Sequence, residues 1–229
     1  MFMEAMARSQ GKTRWMEKTP THVHYLGVLA SAFPTARFLH VVRDGRAVAA
    51  SAVQLGWTPR LPGGRVMRLI WAAKRWQYLT DLGTGFGTRH PSRALEITYE
   101  DLVLRPEDVL PRIADFVGVR LDPGQVEASR LGSLGRPNSA FAAGPASPGL
   151  DRWRLEWSAA EADAVSRSVA RSLRRYGYAL DPVSRVSPRL RATHALGTAL
   201  AGVHVRVKEW AKRIPVAGRL AASPLEFTD

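Results

Sequence analysis

The run Arg37-Phe38-Leu39-His40-Val41-Val42, followed at once by Arg43-Asp44-Gly45-Arg46, constrains this chain most. Its β-branched and aromatic residues read as a short buried strand that the polar turn stops. Asp44 is placed to cap a helix over Ala47 to about Leu55, because its carboxylate can accept from backbone N–H groups of the first turn. A second strand-like run, Ala94-Leu95-Glu96-Ile97-Thr98, comes after further helical pattern. Strands alternating with helices predict an α/β fold with a parallel sheet, since each crossover has to cover a sheet face.

The other elements follow from periodicity and punctuation. Pro20 can open a helix whose Val23, Leu26, Ala30 and Phe33 recur at helical spacing before Pro34. Gly56 to Gly64 reads as loop, and Val66, Leu69, Ile70, Ala73 and Trp76 mark one face of a longer amphipathic helix. The glycines at 83, 85 and 87 lead into Pro91 and a strand rather than out of a strand into a helix, so they read as a flexible loop, not a nucleotide fingerprint. Pro111 lies too deep for a helix opened by Pro106 unless that helix is kinked or split. Residues 132–149 read as loop. Ser158 with Glu161 forms a capping-box signature, Val165, Val169, Leu173 and Tyr176 make the stripe, and Gly177 fits the C-terminal cap.

A division follows at residue 182, with an α/β domain over 1–182 and a basic helical tail over 183–229. In the tail Leu196, Leu200, Val203, Val207, Trp210 and Ile214 repeat by fours and threes, and eight basic residues face three acidic ones. A basic amphipathic helix over 190–214 can dock its stripe on the protein body, lie on an anionic membrane surface or bind a protein partner.

Composition narrows the chemistry. The chain has 229 residues, no cysteine and a net charge of +13, from 33 Lys+Arg against 20 Asp+Glu. Cysteine-free chains hold no disulfide framework, thiolate zinc site or cysteine nucleophile. The charge favours polyanions or phosphate- and sulfate-bearing ligands. Lysine occurs only at 12, 18, 74, 208 and 212, so arginine, the residue suited to bidentate anion recognition, supplies the rest. Scattered histidines without HExxH exclude a common metal-enzyme pattern, and no G-x-S-x-G elbow supports a serine hydrolase. No helix-turn-helix, RRM or KH signature appears, so no specific nucleic-acid partner is expected, although a basic surface binder without chemistry is the rival class. The absence of a basic n-region, an apolar h-region and a long apolar run points to the cytoplasm, with peripheral membrane contact through the tail as the alternative.

Four segments in order carry a resemblance: Glu17-Lys18-Thr19-Pro20; Phe33-Pro34 through Arg43-Asp44-Gly45-Arg46 to Ser51; Tyr99-Glu100-Asp101-Leu102; and Trp153 through the capped helix to Tyr176-Gly177-Tyr178. Together, over roughly residues 11–180, they resemble the sulfotransferase family, in particular its bacterial and tyrosylprotein or carbohydrate-type branch. The resemblance implies a P-loop-type α/β fold that binds 3′-phosphoadenosine-5′-phosphosulfate and moves its sulfuryl group to a hydroxyl or amine, with no metal. The acceptor class stays open among a small molecule, a glycan and a peptide.

Matching positions give Arg43 and Ser51 to the 3′-phosphate and Tyr99 to the neighbourhood of the adenine. Arg136, in Gly135-Arg136-Pro137, is a basic loop residue that can reach the same phosphate. Lys18 matches a lysine lining the reaction centre, and Glu17 is a candidate base, although alternation along an extended segment points it away from Lys18. Chemistry supports the first pair independently: an arginine leaving the carboxyl end of a strand, with a hydroxyl two helical turns on, can meet one phosphate dianion.

The family's N-terminal strand, Gly- and Ser/Thr-containing loop and helix have no counterpart before Trp15. Gly11-Lys12-Thr13 has no preceding strand, and the first P-loop glycine would fall at Met6. The expectation is a chain truncated at its N-terminus, with a start assigned too late, a gene fragment and a degenerate member as competing origins. The last would be an inactive remnant that still binds 3′,5′-adenosine bisphosphate.

Overall fold

The computed structural model describes residues 2–122, 150–180 and 187–211. Helix α1 (Phe2–Ser9) is followed by an extended segment, a 3-10 turn (Pro20–Tyr25) and α2 (Leu26–Ala32). Strand β1 (Phe38–Val42) leads into α3 (Gly45–Gln54) and the long α4 (Gly64–Arg89). Strand β2 (Ala94–Thr98), α5 (Tyr99–Leu104) and α6 (Pro106–Val117) complete the first stretch. After it come α7 (Arg152–Glu156), α8 (Ala159–Ser168), α9 (Ala170–Arg175) and α10 (Pro188–Ala211).

Both strands form where the hydrophobic pattern places them, and they pair in parallel from Phe38 opposite Ala94 to Val42 opposite Thr98. Among the described residues the sheet has these two strands, and helices dominate. The fold is therefore parallel α/β in kind, with a smaller sheet than the alternating pattern suggests. Phe38 meets Phe86 of α4 edge-on at 4.9 Å, and His40 lies against Gly83 of the same helix. The intervening Leu39 and Val41 are 39% and 44% exposed. Strand β1 is thus covered on one face among the described residues, which corrects the expectation of a buried strand.

Helix α4 is the axis of the core. Leu69, Ile70, Trp71, Ala72 and Ala73 are all buried, so the helix is enclosed on every side there rather than along one stripe. It runs through Gly83, Gly85 and Gly87, which corrects the reading of those glycines as a loop. The reason is close packing: a Cβ on Gly83 would fall 2.4 Å from the His40 ring. Glycine costs helix propensity, but here it admits the strand side chain. Helix α6 also passes through Pro111 as one element. Its last carbonyls are held by arginines, with Arg14 donating to Val117 and Gly118 and Arg37 to Phe116.

The capping box forms at Ser158 and Glu161, whose carboxylate also pairs with Arg65 of α4 at 2.7 Å. The helix beyond it is not continuous. Val169 leaves helical geometry and divides α8 from α9, and Gly177 ends α9 at φ +74° with Tyr178 N–H donating to Leu173. This is a Schellman-type cap. Helix α10 packs on α4 and α8 through Gly197, Ala201 and Val205. Its Glu209 carboxylate is 0% exposed, 2.9 Å from both His24 Nε2 and Arg75 Nε. Residues 212–229, including Ile214, lie outside the described residues. No described helix is long and apolar enough to cross a membrane.

Candidate functional site

The turn after β1 is fixed by polar groups from three other places. Asp44 caps α3 by accepting from Arg46 N–H at 2.8 Å, and the same carboxylate takes three bonds from the Arg46 guanidinium. Arg46 is 1% exposed, donates to the Ala179 carbonyl at 2.8 Å and lies 4.4 Å over the Trp153 ring. Glu100, at the start of α5, accepts from Asp44 N–H at 2.9 Å and from the Tyr178 hydroxyl at 2.7 Å. Burial, and then the Glu100 carboxylate, push the Tyr178 hydroxyl well above the ordinary tyrosine range, so it remains a donor. The β1–α3 turn is thereby tied to the β2–α5 junction and to the segment after α9.

This bracing brings two of the sequence-derived site residues together. Arg43 leaves β1 and Tyr99 leaves β2, and because the strands are parallel and in register both emerge at the same end of the sheet. The Arg43 guanidinium lies 4.8 Å over the Tyr99 ring. The Tyr99 hydroxyl is buried with no hydrogen-bond partner among the described residues. Burial holds it above the ordinary tyrosine value against the pull of Arg43. A positive guanidinium beside a neutral buried phenol is a donor set suited to an anion carrying an aromatic base, at the sheet end where open α/β folds bind ligands.

Ser51 is exposed, near the C-terminal end of α3 and about 9 Å of helical rise from its first residue. Among the described residues no hydrogen bond joins it to Arg43 or Tyr99. Lys18 and Glu17 precede the 3-10 turn and are also exposed. Glu17 accepts from the Thr19 hydroxyl and pairs with His22 Nδ1 at 2.7 Å, which fixes the carboxylate locally. Lys18 makes no hydrogen bond or ion pair among the described residues. Arg136 lies outside the described residues.

A cleft of about 330 Å³ is lined by Asp44, Arg46, Glu100, Asp151, Arg154 and Tyr178 among others, and neither Arg43 nor Tyr99 borders it. Its two arginines are already paired, Arg46 with Asp44 and Arg154 with Asp151. Sequence reasoning gave Glu100 and Tyr178 no role, although both sit inside the motifs that carry the resemblance. Their work is to hold the turn, and a long-range hydrogen bond leaves no local signature.

A family model described as the sulfotransferase family matches residues 1–123. The omega-hydroxy-beta-dihydromenaquinone-9 sulfotransferases of Mycobacterium bovis and Mycobacterium tuberculosis are each 30% identical to this chain over 110 residues. That match covers 44% of this chain and 28% of each relative, so the chain spans little more than a quarter of their length there. The family match ends before Arg136 and before α10. With more than half of its residues matched by that model, the chain belongs to the sulfotransferase family.

Proposed function

We propose that the chain binds 3′-phosphoadenosine-5′-phosphosulfate and serves in transfer of its sulfuryl group to a hydroxyl. The observation that carries this reading is the Arg43–Tyr99 stack at the shared carboxyl end of β1 and β2. In this reading β1 and β2 are part of a P-loop-type sheet. Arg43 neutralises the 3′-phosphate, Ser51 adds a hydroxyl donor to it, and Tyr99 lies against the adenine with its phenol free to donate; Arg136 adds a further positive charge. When bound, the cofactor supplies an activated sulfuryl group whose bond to the 5′-phosphate oxygen breaks as one to the acceptor oxygen forms. Lys18 neutralises the charge that develops as that bond breaks, and Glu17, held by Thr19 and His22, accepts the proton of the acceptor hydroxyl. A hydroxyl acceptor agrees with the names of the mycobacterial relatives, which specify an omega-hydroxylated compound.

Calorimetric titration of the full chain with 3′,5′-adenosine bisphosphate, with 5′-AMP as control, tests the site. Binding of the bisphosphate at least about tenfold tighter than the monophosphate is the expected result, the discrimination that a charge-assisted phosphate contact supplies. Equal affinity for the two nucleotides, or none for either by folded protein, overturns the reading.

A further inference from the structure

The apolar stripe of α10 points away from the protein. Leu196, Leu200, Val203, Val207 and Trp210 are between 58% and 63% exposed, whereas Gly197, Ala201, Val205 and Glu209 on the opposite face are buried against the body. A helix normally docks through its large apolar residues and leaves its small and charged ones to solvent. Here that order is reversed, and five large apolar side chains form a continuous row on the surface.

The charges beside the row decide what it suits. Residues 187–211 carry Arg189, Arg191, Arg206, Lys208 and Glu209, and Glu209 is buried and committed to His24 and Arg75. Every solvent-facing charge on α10 is therefore positive. Arg206 extends the positive region onto α4: after burial, its charge is the next cause holding the Lys74 ammonium below the ordinary lysine value. The 4-3-4-3 spacing of the row is also that of a coiled-coil seam. In that register, however, the flanking positions carry Gly197, Ala199, His204, Arg206 and Ala211, with no acidic residue to pair with the arginine of a second copy. Two copies seated on this face would set positive flank against positive flank.

We infer that α10 seats the protein on an anionic lipid surface, with Leu196, Leu200, Val203, Val207 and Trp210 entering the headgroup–acyl boundary and Arg189 and Arg206 meeting the headgroups. Such a helix lies in the interface plane, with apolar burial and attraction to acidic lipids both contributing. This seat rests on α10 alone and is independent of the sulfuryl-transfer reading.

The test is co-sedimentation of the full chain with phosphatidylcholine vesicles made with and without phosphatidylglycerol. Because a net charge of +13 alone attracts acidic vesicles, the informative variant is uncharged: Leu200→Ser with Val203→Ser. Because both positions are exposed, the melting temperature is expected to stay near that of the parent. Binding to the anionic vesicles is expected to weaken by about tenfold or more in this variant. Arg189→Gln with Arg206→Gln is expected to weaken binding and reduce its salt dependence. Parent-like vesicle binding by the serine variant, or no binding by the parent, overturns the inference. So does a parent dimer in light scattering that the serine variant converts to monomer, since the face then belongs to a second copy.

Discussion

Arg43 and Arg46 stand in one four-residue turn and meet opposite environments. Arg46 is enclosed by Asp44, the Ala179 carbonyl and Trp153, which makes it part of the core. Arg43 stacks on Tyr99 at the sheet end. Arg43→Ala is expected to cost about 2–5 kcal/mol of 3′,5′-adenosine bisphosphate binding, as truncating one side of a close charge pair does. The Ser51→Ala change removes at most one hydrogen bond and is expected to cost about 1 kcal/mol. Calorimetry on both variants checks the pair, and unchanged affinity in Arg43→Ala removes Arg43 from the site. The place of Arg43 at the strand end was legible in the sequence because the strand–turn motif fixes where the chain leaves the sheet. The Tyr99 contact was not derivable from pattern, since strand register sets it.

At the scale of elements, close approach explains what propensity alone misreads. A Cβ on Gly45 would lie 2.4 Å from the Trp76 ring, so α3 begins where it does only because its first residue has no side chain. Gly45→Ala is expected to lower stability by about 1–3 kcal/mol through overpacking, read as a lower urea midpoint with an unchanged slope. The same logic applies where α4 crosses β1 at Gly83. Those glycines read as a loop because glycine is poor in isolated helices, and the imidazole that requires one of them comes from a strand 43 positions earlier in the sequence. The capping box was legible because its signals are three residues apart. The break at Val169 was not, because the apolar stripe runs through it unchanged.

For the whole molecule, buried polar groups join segments distant in sequence. Glu209 links α10 to His24 and Arg75, and Glu209→Ala leaves the buried His24 and the partly exposed Arg75 without their carboxylate. A loss of about 3–5 kcal/mol is expected, with proteolysis appearing first within 187–211. Glu96 gives the pH dependence. Burial opposes its ionisation, but hydrogen bonds from His40, Thr84 and Tyr176 and the His40 charge prevail and hold it below its usual value of 4.5. Its stabilising contribution is therefore complete above the unfolded carboxyl range and is lost as pH falls through the lowered value. Tyr176 in the same network is pushed up to about 12, first by burial, so its contribution is complete below about 10 and lost as pH rises toward 12. Urea midpoints against pH are expected to fall at both ends, and Glu96→Gln flattens the acid limb.

The large arginine excess is resolved at this scale too. Arg14, Arg37 and Arg93 spend their guanidiniums on backbone carbonyls, and Arg46 divides its own between Asp44 and the Ala179 carbonyl. Net charge thus measured ligand preference poorly. The sequence by itself determined the two strands, the Asp44 and Ser158 caps, the Gly177 stop and the candidacy of Arg43, because these depend on hydrogen bonds and sterics within a few residues. Only the tertiary structure decided that α4 is enclosed, that its glycines are helical, and that α10 turns its large apolar row outward. Those outcomes depend on which distant side chains fill a given space: Met67 meets Gly197 on the small face of α10, Trp71 lies under Lys208, and Arg75 and His24 receive the Glu209 carboxylate.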